Sequence, residues 1–401
     1  MQTVLLLGDY RPTLTLARDY ARRGWRVLVA GRGRVGAAGA SRAVAEVIDL
    51  VDADADPAGF LSGLEAILAA HPEIAAVIPV AEGTVRALAD NAARLPQGAV
   101  WATPAPDVVE ACLDKPASFR RARACDVPVA PFALVHDHAA LLREAAAIGF
   151  PLVIRPLAST RRLDGEKALT IADAGSLVAR LPRWPAGHEG LLLQRRVAGR
   201  RHNVYFAARR GTLIRACEAV IARTDRADGS GLAVDGHTIA PDAARLAHVA
   251  ALVEDLGYTG IGCAQFLVDP DDGATWFLEI NPRVAGNHAA PEAAGLELGR
   301  LAVALAAGDA EEERLVIGRA GLRYSWTWGD LAGIKALKAS GAGAGALLRA
   351  TGRMLATALA SDVRMTWSWR DPGPTLVLYA RAFLLPRRAP RPAPPRPAPA
   401  E

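Results

Sequence analysis

The chain has 401 residues, of which 51% are hydrophobic, 22% charged and 5% aromatic, with a formal net charge of +5; this excludes a disordered or collagen-like chain and fits a globular protein of several domains. Four arginines against one glutamate in residues 386–401 leave only +2 for the other 385 residues, so the basic excess belongs to a tail and argues against a nucleic-acid-binding face. No apolar window nears the ~20 residues of a membrane span, the start lacks a basic leader, and Cys112, Cys125, Cys217 and Cys263 form no CxxC or zinc pattern, so a reducing, cytoplasmic setting is expected.

Val4-Leu5-Leu6-Leu7, closed by Gly8-Asp9, reads as a buried strand. Leu14, Ala17 and Tyr20/Ala21 then share a helical face, and Val27-Leu28-Val29-Ala30 is a second, parallel strand. A helix over 57–71 and the run 75–80 continue an open α/β unit to about residue 105. Inside it, Gly31-Arg32-Gly33-Arg34-Val35-Gly36 satisfies G-x-G-x-x-G, with Asp52 about twenty residues on. A dinucleotide fingerprint must follow the first strand and open a helix, whereas this copy follows the second and leads into the β-like residues 43–48; it reads as a Gly/Arg loop. Gly341-Ala-Gly-Ala-Gly345 lacks the Lys-Ser/Thr of a phosphate loop and reads as an interhelical linker.

A helical pattern over 106–124 ends at Pro128 and Pro131, and a helix over 138–148 leads through Gly149-Phe150-Pro151 into a strand at 152–156. Residues 159–167 read as a hairpin or flap with a return strand at 168–171. Residues 191–194, 204–208 and 213–216 carry antiparallel signals around the turn Arg210-Gly211. A helix over 241–256 precedes a strand reaching Val268, a turn at 269–273 and a strand over 275–280. Residues 315–385 read as helical, and the proline-rich tail as disordered.

The chemistry concentrates in residues 257–295. Gln265 lies on one strand, while Glu279 and Asn281 lie two apart on the next, so the period of two aims that pair at one face and a hairpin brings Gln265 alongside. Two amide oxygens and a carboxylate form an oxygen-only set suited to Mg²⁺ that also keeps phosphate oxygens and water. Arg283 adds a guanidinium able to neutralise charge on a transferred phosphoryl group. On spacing alone, a solvated hairpin with ordinary polar residues is an equal reading.

These residues also carry a resemblance. Gly260-x-x-x-x-Gln265-Phe266 followed by Phe277-Leu278-Glu279-Ile280-Asn281-Pro282-Arg283 resembles the metal-binding end of ATP-grasp enzymes, and the Gln at the first position is most similar to the carbamoyl-phosphate synthetase branch. Phe150-Pro151-Leu152-Val153-Ile154-Arg155-Pro156 and Asp114-Lys115-Pro-Ala-Ser-Phe119 resemble two earlier segments of that branch, in the expected order. The resemblance covers about residues 1–310. It implies an α/β plus α+β protein: an open α/β pre-ATP-grasp domain at 1–110, ATP-grasp subdomains at 111–190 and 191–310, a helical C-terminal appendage at 311–385 and a disordered Pro/Arg tail at 386–401.

It also implies a mechanism: ATP passes its γ-phosphate to a carboxylate and an amine displaces phosphate from the acyl phosphate. Lys115 and Arg155 are expected at the phosphates, with Ser159, Thr160, Gln194, Arg195, Val197 and His202 lining the nucleotide. Gln265, Glu279 and Asn281 would hold one or two Mg²⁺, with Mn²⁺ able to substitute, and Arg283 would act on the acyl phosphate. Three departures stand out: the flap Ser159-Thr-Arg-Arg-Leu-Asp-Gly165-Glu-Lys has a single glycine, the linker Leu193-Gln194-Arg195-Arg196-Val197 lacks the usual acid, and the ribose acid is replaced near Arg201-His202-Asn203.

Asn287 and His288 face the acceptor substrate or are plain loop residues, and Arg223 is a carboxylate anchor or a solvated arginine. Cys263 reads as core rather than nucleophile. Trp326, Trp328, Trp367 and Trp369 cap the core or line a pocket, and Leu376 to Leu385 with the basic tail could touch an anionic membrane surface. The expectation is a single-unit, ADP-forming carboxylate-amine ligase using ATP and Mg²⁺ on a small acid and amine, compatible with a homo-oligomer. The alternatives are a nucleotide-binding protein without turnover and a phosphotransferase on the same fold.

Overall fold

The computed structural model describes residues 1–31, 37–157, 161–226, 229, 231–309 and 314–384. Its first sheet is parallel: β1 (Thr3–Leu7), β2 (Arg26–Ala30), β3 (Glu46–Ile48), β4 (Ile74–Pro79) and β5 (Val100–Trp101) lie in the order β3-β2-β1-β4-β5. Every residue of β1 is buried, as a strand covered on both faces requires. Gly31 stands at a positive φ of 154°, and a Cβ there would come within 3.1 Å of the Gly8 Cα, so the ends of β1 and β2 approach as only glycine allows. Beside them a small cleft opens where the strand order reverses, lined by Asp9, Tyr10, Asp52, Asp54 and Thr84 among others.

The second sheet is antiparallel, with β6 (Phe132–Val135), β7 (Leu152–Pro156), β8 (Leu169–Ile171) and β9 (Leu191–Arg195) in the order β6-β9-β7-β8. It has its own core, with Leu141, Leu152, Ile154, Leu169, Leu191 and Leu193 packed together. Its helices start at Asp137 and Asp173, whose carboxylates accept from the Ala140 and Ser176 amides at 2.7 Å.

The third sheet has eight strands: β10 (Arg200–Arg209), β11 (Thr212–Thr224), β12 (Ala233–Ile239), β13 (Gly260–Val268), β14 (Thr275–Asn281), β15 (Val316–Ile317), β16 (Arg323–Ser325) and β17 (Val363–Arg364). Their order is β14-β13-β10-β11-β12-β16-β17, with β15 beside β11. One face shares a core with the first sheet, joining Tyr205, Cys217 and Tyr324 to Val4, Leu6 and Val29. The other packs Phe206, Phe266 and Phe277 against Phe119, Val249 and Leu252.

The region expected to be helical holds the helices Thr327–Ala339, Ala344–Ala360 and Gly373–Leu384, but β15, β16 and β17 interrupt it and extend the third sheet. Runs of two or three residues carry no periodicity to read. The segment between the last two helices returns to the first domain. Asp371 accepts from Ser41 Oγ at 2.6 Å, the Arg42 amide at 3.0 Å and Arg18 Nε at 2.9 Å. Among the described residues no helix is long and apolar enough to cross a membrane. The Pro/Arg tail and most of the Gly/Arg loop lie outside the described residues.

Candidate functional site

The hairpin of β13 and β14 sets the site. Gln265 stands opposite Glu279 and Cys263 opposite Asn281, while on the other side Gln265 faces Asn203 of β10. Between Gln265 and Phe266 the register slips, because Phe266 pairs with Phe277 and leaves Leu278 as an extra residue. Phe277 and Glu279, two apart, would otherwise share a face. The bulge lets Phe277 fill the core while Glu279 joins Gln265 on the cleft side.

Glu279 is the hub. Its Oε2 accepts from Lys115 Nζ and its Oε1 from Asn281 Nδ2 at 3.1 Å. Asn281 Oδ1 in turn accepts from Arg283 Nη2 at 3.2 Å, and Arg283 Nη1 donates to the Val284 carbonyl at 3.0 Å. Lys115 opens the helix Lys115–Ala124, where Asp114 caps the Ala117 amide at 2.9 Å and Phe119 packs against Phe132 and Phe277. Cap and aromatic contacts thus hold the lysine over the sheet edge.

Burial pushes the Glu279 carboxyl up, but Lys115 beside it, the Asn281 hydrogen bond and the charge of Arg155 outweigh that and hold it at about 2. Arg155 comes from β7 on the second sheet. Burial pulls its guanidinium down, Glu279 opposes this, and its Nε is buried without a hydrogen-bond partner. Lys115, Arg155 and Arg283 therefore gather around one carboxylate, an excess of positive charge that suits an anionic ligand between the two sheets.

Among the described residues no three His, Cys, Asp or Glu side chains are close enough to hold a metal ion. The oxygens available are one carboxylate and two amides, with the Lys115 ammonium resting on the carboxylate where a cation belongs. That set fits Mg²⁺ sharing its shell with phosphates and water rather than a cation held by protein alone.

The other expected residues divide. Gln194 is buried on β9 between Phe132 and Val153, Arg195 ends that strand with its amide on the Pro131 carbonyl at 2.7 Å, and Val197 lies in the extended link 196–199 to the third sheet. Ser159 and Thr160 fall outside the described residues. His202 points away from Gln265. Its Nδ1 donates to Glu218 Oε1 at 2.6 Å, an oxygen that also accepts from Arg245 Nε at 2.8 Å. His202 thus makes a buried contact with Glu218 on the face opposite Gln265, whereas a ribose contact was expected of it, and Asn203 stands on the Gln265 side.

Arg223 meets a carboxylate, but an internal one: its Nη1 and Nη2 donate to Asp330, the latter at 3.1 Å. Asn287 donates to the Tyr324 hydroxyl at 3.2 Å, and His288 is buried with Nε2 3.1 Å from Glu292 Oε1. Both are buried just after the Asn-Pro-Arg segment. Sequence reading missed Arg11, which has no local motif; Arg11 Nε donates to the Gly286 carbonyl and so joins the first helix to that loop. The acidic lining of the first-domain cleft was also missed, although a strand-order reversal in an open α/β sheet is where a ligand cleft belongs.

The family model described as carbamoyl-phosphate synthase L chain, ATP binding domain, matches residues 114–314. The carbamoyl phosphate synthase large chain of Arthrobacter sp. (strain FB24) is 25% identical over 195 residues, which cover 46% of this chain and only 17% of that protein. Among solved structures, a biotin carboxylase β,γ-ATP complex from Campylobacter jejuni aligns with TM-score 0.59 and 17% identity over 78% of this chain and 72% of that one. The biotin carboxylase domain dimer of Hydrogenobacter thermophilus 2-oxoglutarate carboxylase, in complex with MgADP, ADP and bicarbonate, gives 0.62 and 16% over 80% and 73%. N5-carboxyaminoimidazole synthetase from Staphylococcus aureus gives 0.61 and 12% over 80% of each chain. At such identities the structures share an ATP-grasp fold with this chain.

Proposed function

Because the chain belongs to the family of the carbamoyl-phosphate synthase L chain ATP-binding domain, we propose that it is an ATP-dependent, ADP-forming ligase joining a small carboxylic acid to an amine. The carrying observation is the chain of contacts Lys115, Glu279, Asn281 and Arg283, faced by Arg155 from the opposite sheet. In this reading Lys115 and Arg155 hold the phosphates of ATP, and Gln194 to Val197 line the adenine. Gln265, Glu279 and Asn281 would hold Mg²⁺, which supplies charge neutralisation between phosphate oxygens.

The acid's carboxylate oxygen attacks the γ-phosphorus as the bond to ADP breaks, giving an acyl phosphate. The amine nitrogen then attacks the acyl carbon, phosphate leaves with the C–O bond, and an amide remains. Arg283, tied to Asn281 and the Val284 carbonyl, is positioned for the oxyanion. Covalent catalysis by Cys263 is not part of the scheme, since burial pushes its thiol up to about 12. The cleft lined by Asp9, Asp52 and Asp54 supports an amine as the second substrate, and its Tyr10 lies within electrostatic reach of Arg283.

The test is ADP release from MgATP with pooled carboxylic acids and amines, with Glu279→Ala as the blank. Pool-dependent ADP lost in that variant is expected. ADP with a phosphorylated acid and no amide selects a phosphotransferase, and MgATP binding without release across the pool selects a nucleotide-binding protein.

A further inference from the structure

The third sheet carries two more cations beside the proposed metal end. Arg11 is buried, its guanidinium lies 4.1 Å above the Trp326 ring, and its Nη1 donates to the Ala233 carbonyl at 2.8 Å. Arg201 donates through Nη1 and Nη2 to the Gly231 carbonyl at 3.1 and 3.2 Å. The two guanidinium groups therefore converge on carbonyls two residues apart at the start of β12. Neither forms an ion pair among the described residues, although Arg11 is buried, where a charge ordinarily demands one, while Arg201 is partly exposed. Burial pulls the Arg11 guanidinium down, and the nearby charge of Asp225, which favours its protonated form, is opposed by that of Arg201.

Two further atoms there lack partners. Arg201 Nε is buried without an acceptor, and Asn203, only 4% exposed, leaves its Oδ1 without a donor while its Nδ2 is held by the Tyr205 hydroxyl at 3.3 Å. Arg201 and Asn203 are two apart on β10 and so share a face, and Asn203 is the cross-strand neighbour of Gln265. Two guanidinium groups with no ion pair, an N–H with no acceptor and an amide oxygen with no donor among the described residues thus lie on or beside β10, where Asn203 adjoins Gln265.

Resting on the ligase reading above, we propose that Arg11, Arg201 and Asn203 anchor a second anionic group of the substrate. That substrate would carry, besides its reacting group, a carboxylate or phosphate flanked by an N–H or O–H. The guanidinium groups take the oxyanion, and Asn203 Oδ1 accepts from the neighbouring donor. A plain monocarboxylic acid or simple amine leaves this anchor unused.

The experiment is titration calorimetry of the full chain with succinate, inorganic phosphate and propionate at fixed ionic strength. Succinate or phosphate should bind at least ~10-fold more tightly than propionate, as charge-assisted pairing predicts, and Arg201→Met should erase the advantage. An advantage for succinate alone identifies a carboxylate, and one for phosphate alone a phosphate ester. Asn203→Asp places a carboxylate two residues from Arg201 on the same face of β10, so it should raise Tm and abolish binding of both probes. Equal binding of the three probes, or no binding of any, overturns the proposal. So does binding that survives Arg201→Met but is lost in Arg155→Met, which would put the anion in the nucleotide cleft. MgADP titrated into the same wild-type protein separates the two readings: succinate or phosphate bound through Arg201 without MgADP binding leaves the anchor standing and removes the ligase.

Discussion

Replacing Glu218 tests whether His202 is structural. Glu218 is fully buried and accepts from His202 Nδ1 at 2.6 Å, Arg245 Nε at 2.8 Å and the Asp242 amide at 2.9 Å. In Glu218→Ala, Arg245 keeps Asp242 at 3.7 Å, on a largely exposed carboxylate, and the Thr275 hydroxyl at 3.4 Å, and the imidazole loses its carboxylate. Uncompensated buried charge of this kind costs about 3–5 kcal/mol, which for a domain of 150–250 residues lowers Tm by roughly 6–20 °C. The assay is thermal unfolding by circular dichroism, with tryptophan fluorescence as a second probe because several domains need not unfold together. His202→Gln should lose about 1–2 kcal/mol through one charge-assisted bond and leave the KM for ATP within ~2-fold. A His202→Gln protein with unchanged Tm and a KM for ATP raised tenfold or more would return His202 to the nucleotide and refute the reasoning.

Arg283→Ala should lower kcat by ~10²–10³-fold, as removal of an oxyanion donor does, while MgADP titration shows affinity changed by less than ~3-fold. The Glu279 carboxyl is held at about 2, below the ordinary carboxylate range, so its ionised form is favoured above that range and is lost only as pH falls toward 2. A kcat/KM profile should therefore show no acid limb from this group above about pH 4, and Lys115→Met should bring one in. Asp330→Asn removes the nearest carboxylate from Arg223, which keeps Asp235 at 3.7 Å, and should loosen the helices Thr327–Ala339 and Ala344–Ala360, so tryptic cleavage after Arg349 and Arg353 should quicken by ~10-fold.

Much of the fold was legible because its signals are local. The apolar runs of β1, β2 and β4 and the turn at Arg210-Gly211 fall where the pattern puts them, and the pairing of Gln265 with Glu279 follows from a hairpin of ordinary length. The bulge at Leu278 was not legible, since period-two reasoning treats Phe277, Glu279 and Asn281 alike. β6 was hidden by the prolines before it, and β16 and β17 by their shortness. The side-chain partners were least legible. Nothing in the local sequence tells that His202 turns to Glu218, that Arg223 finds Asp330 more than a hundred residues on, or that Arg11 reaches Gly286. Such pairs are fixed by tertiary packing, and a lone charged residue carries no periodicity.

The Asp371 contacts have a mechanical meaning. Helix Arg11–Arg22 is held at one end by Arg11 on the Gly286 carbonyl and further along by Arg18 on Asp371, while its inner face lies in a core common to the first and third sheets. Those two sheets and the returning C-terminal segment therefore travel as one body. The second sheet has a core of its own and meets the third through Leu192, Phe132 and the link 196–199. Since Arg155 rides on that sheet and Glu279 on the third, a fluorophore pair placed across the two sheets would report any change in their separation when MgATP is added.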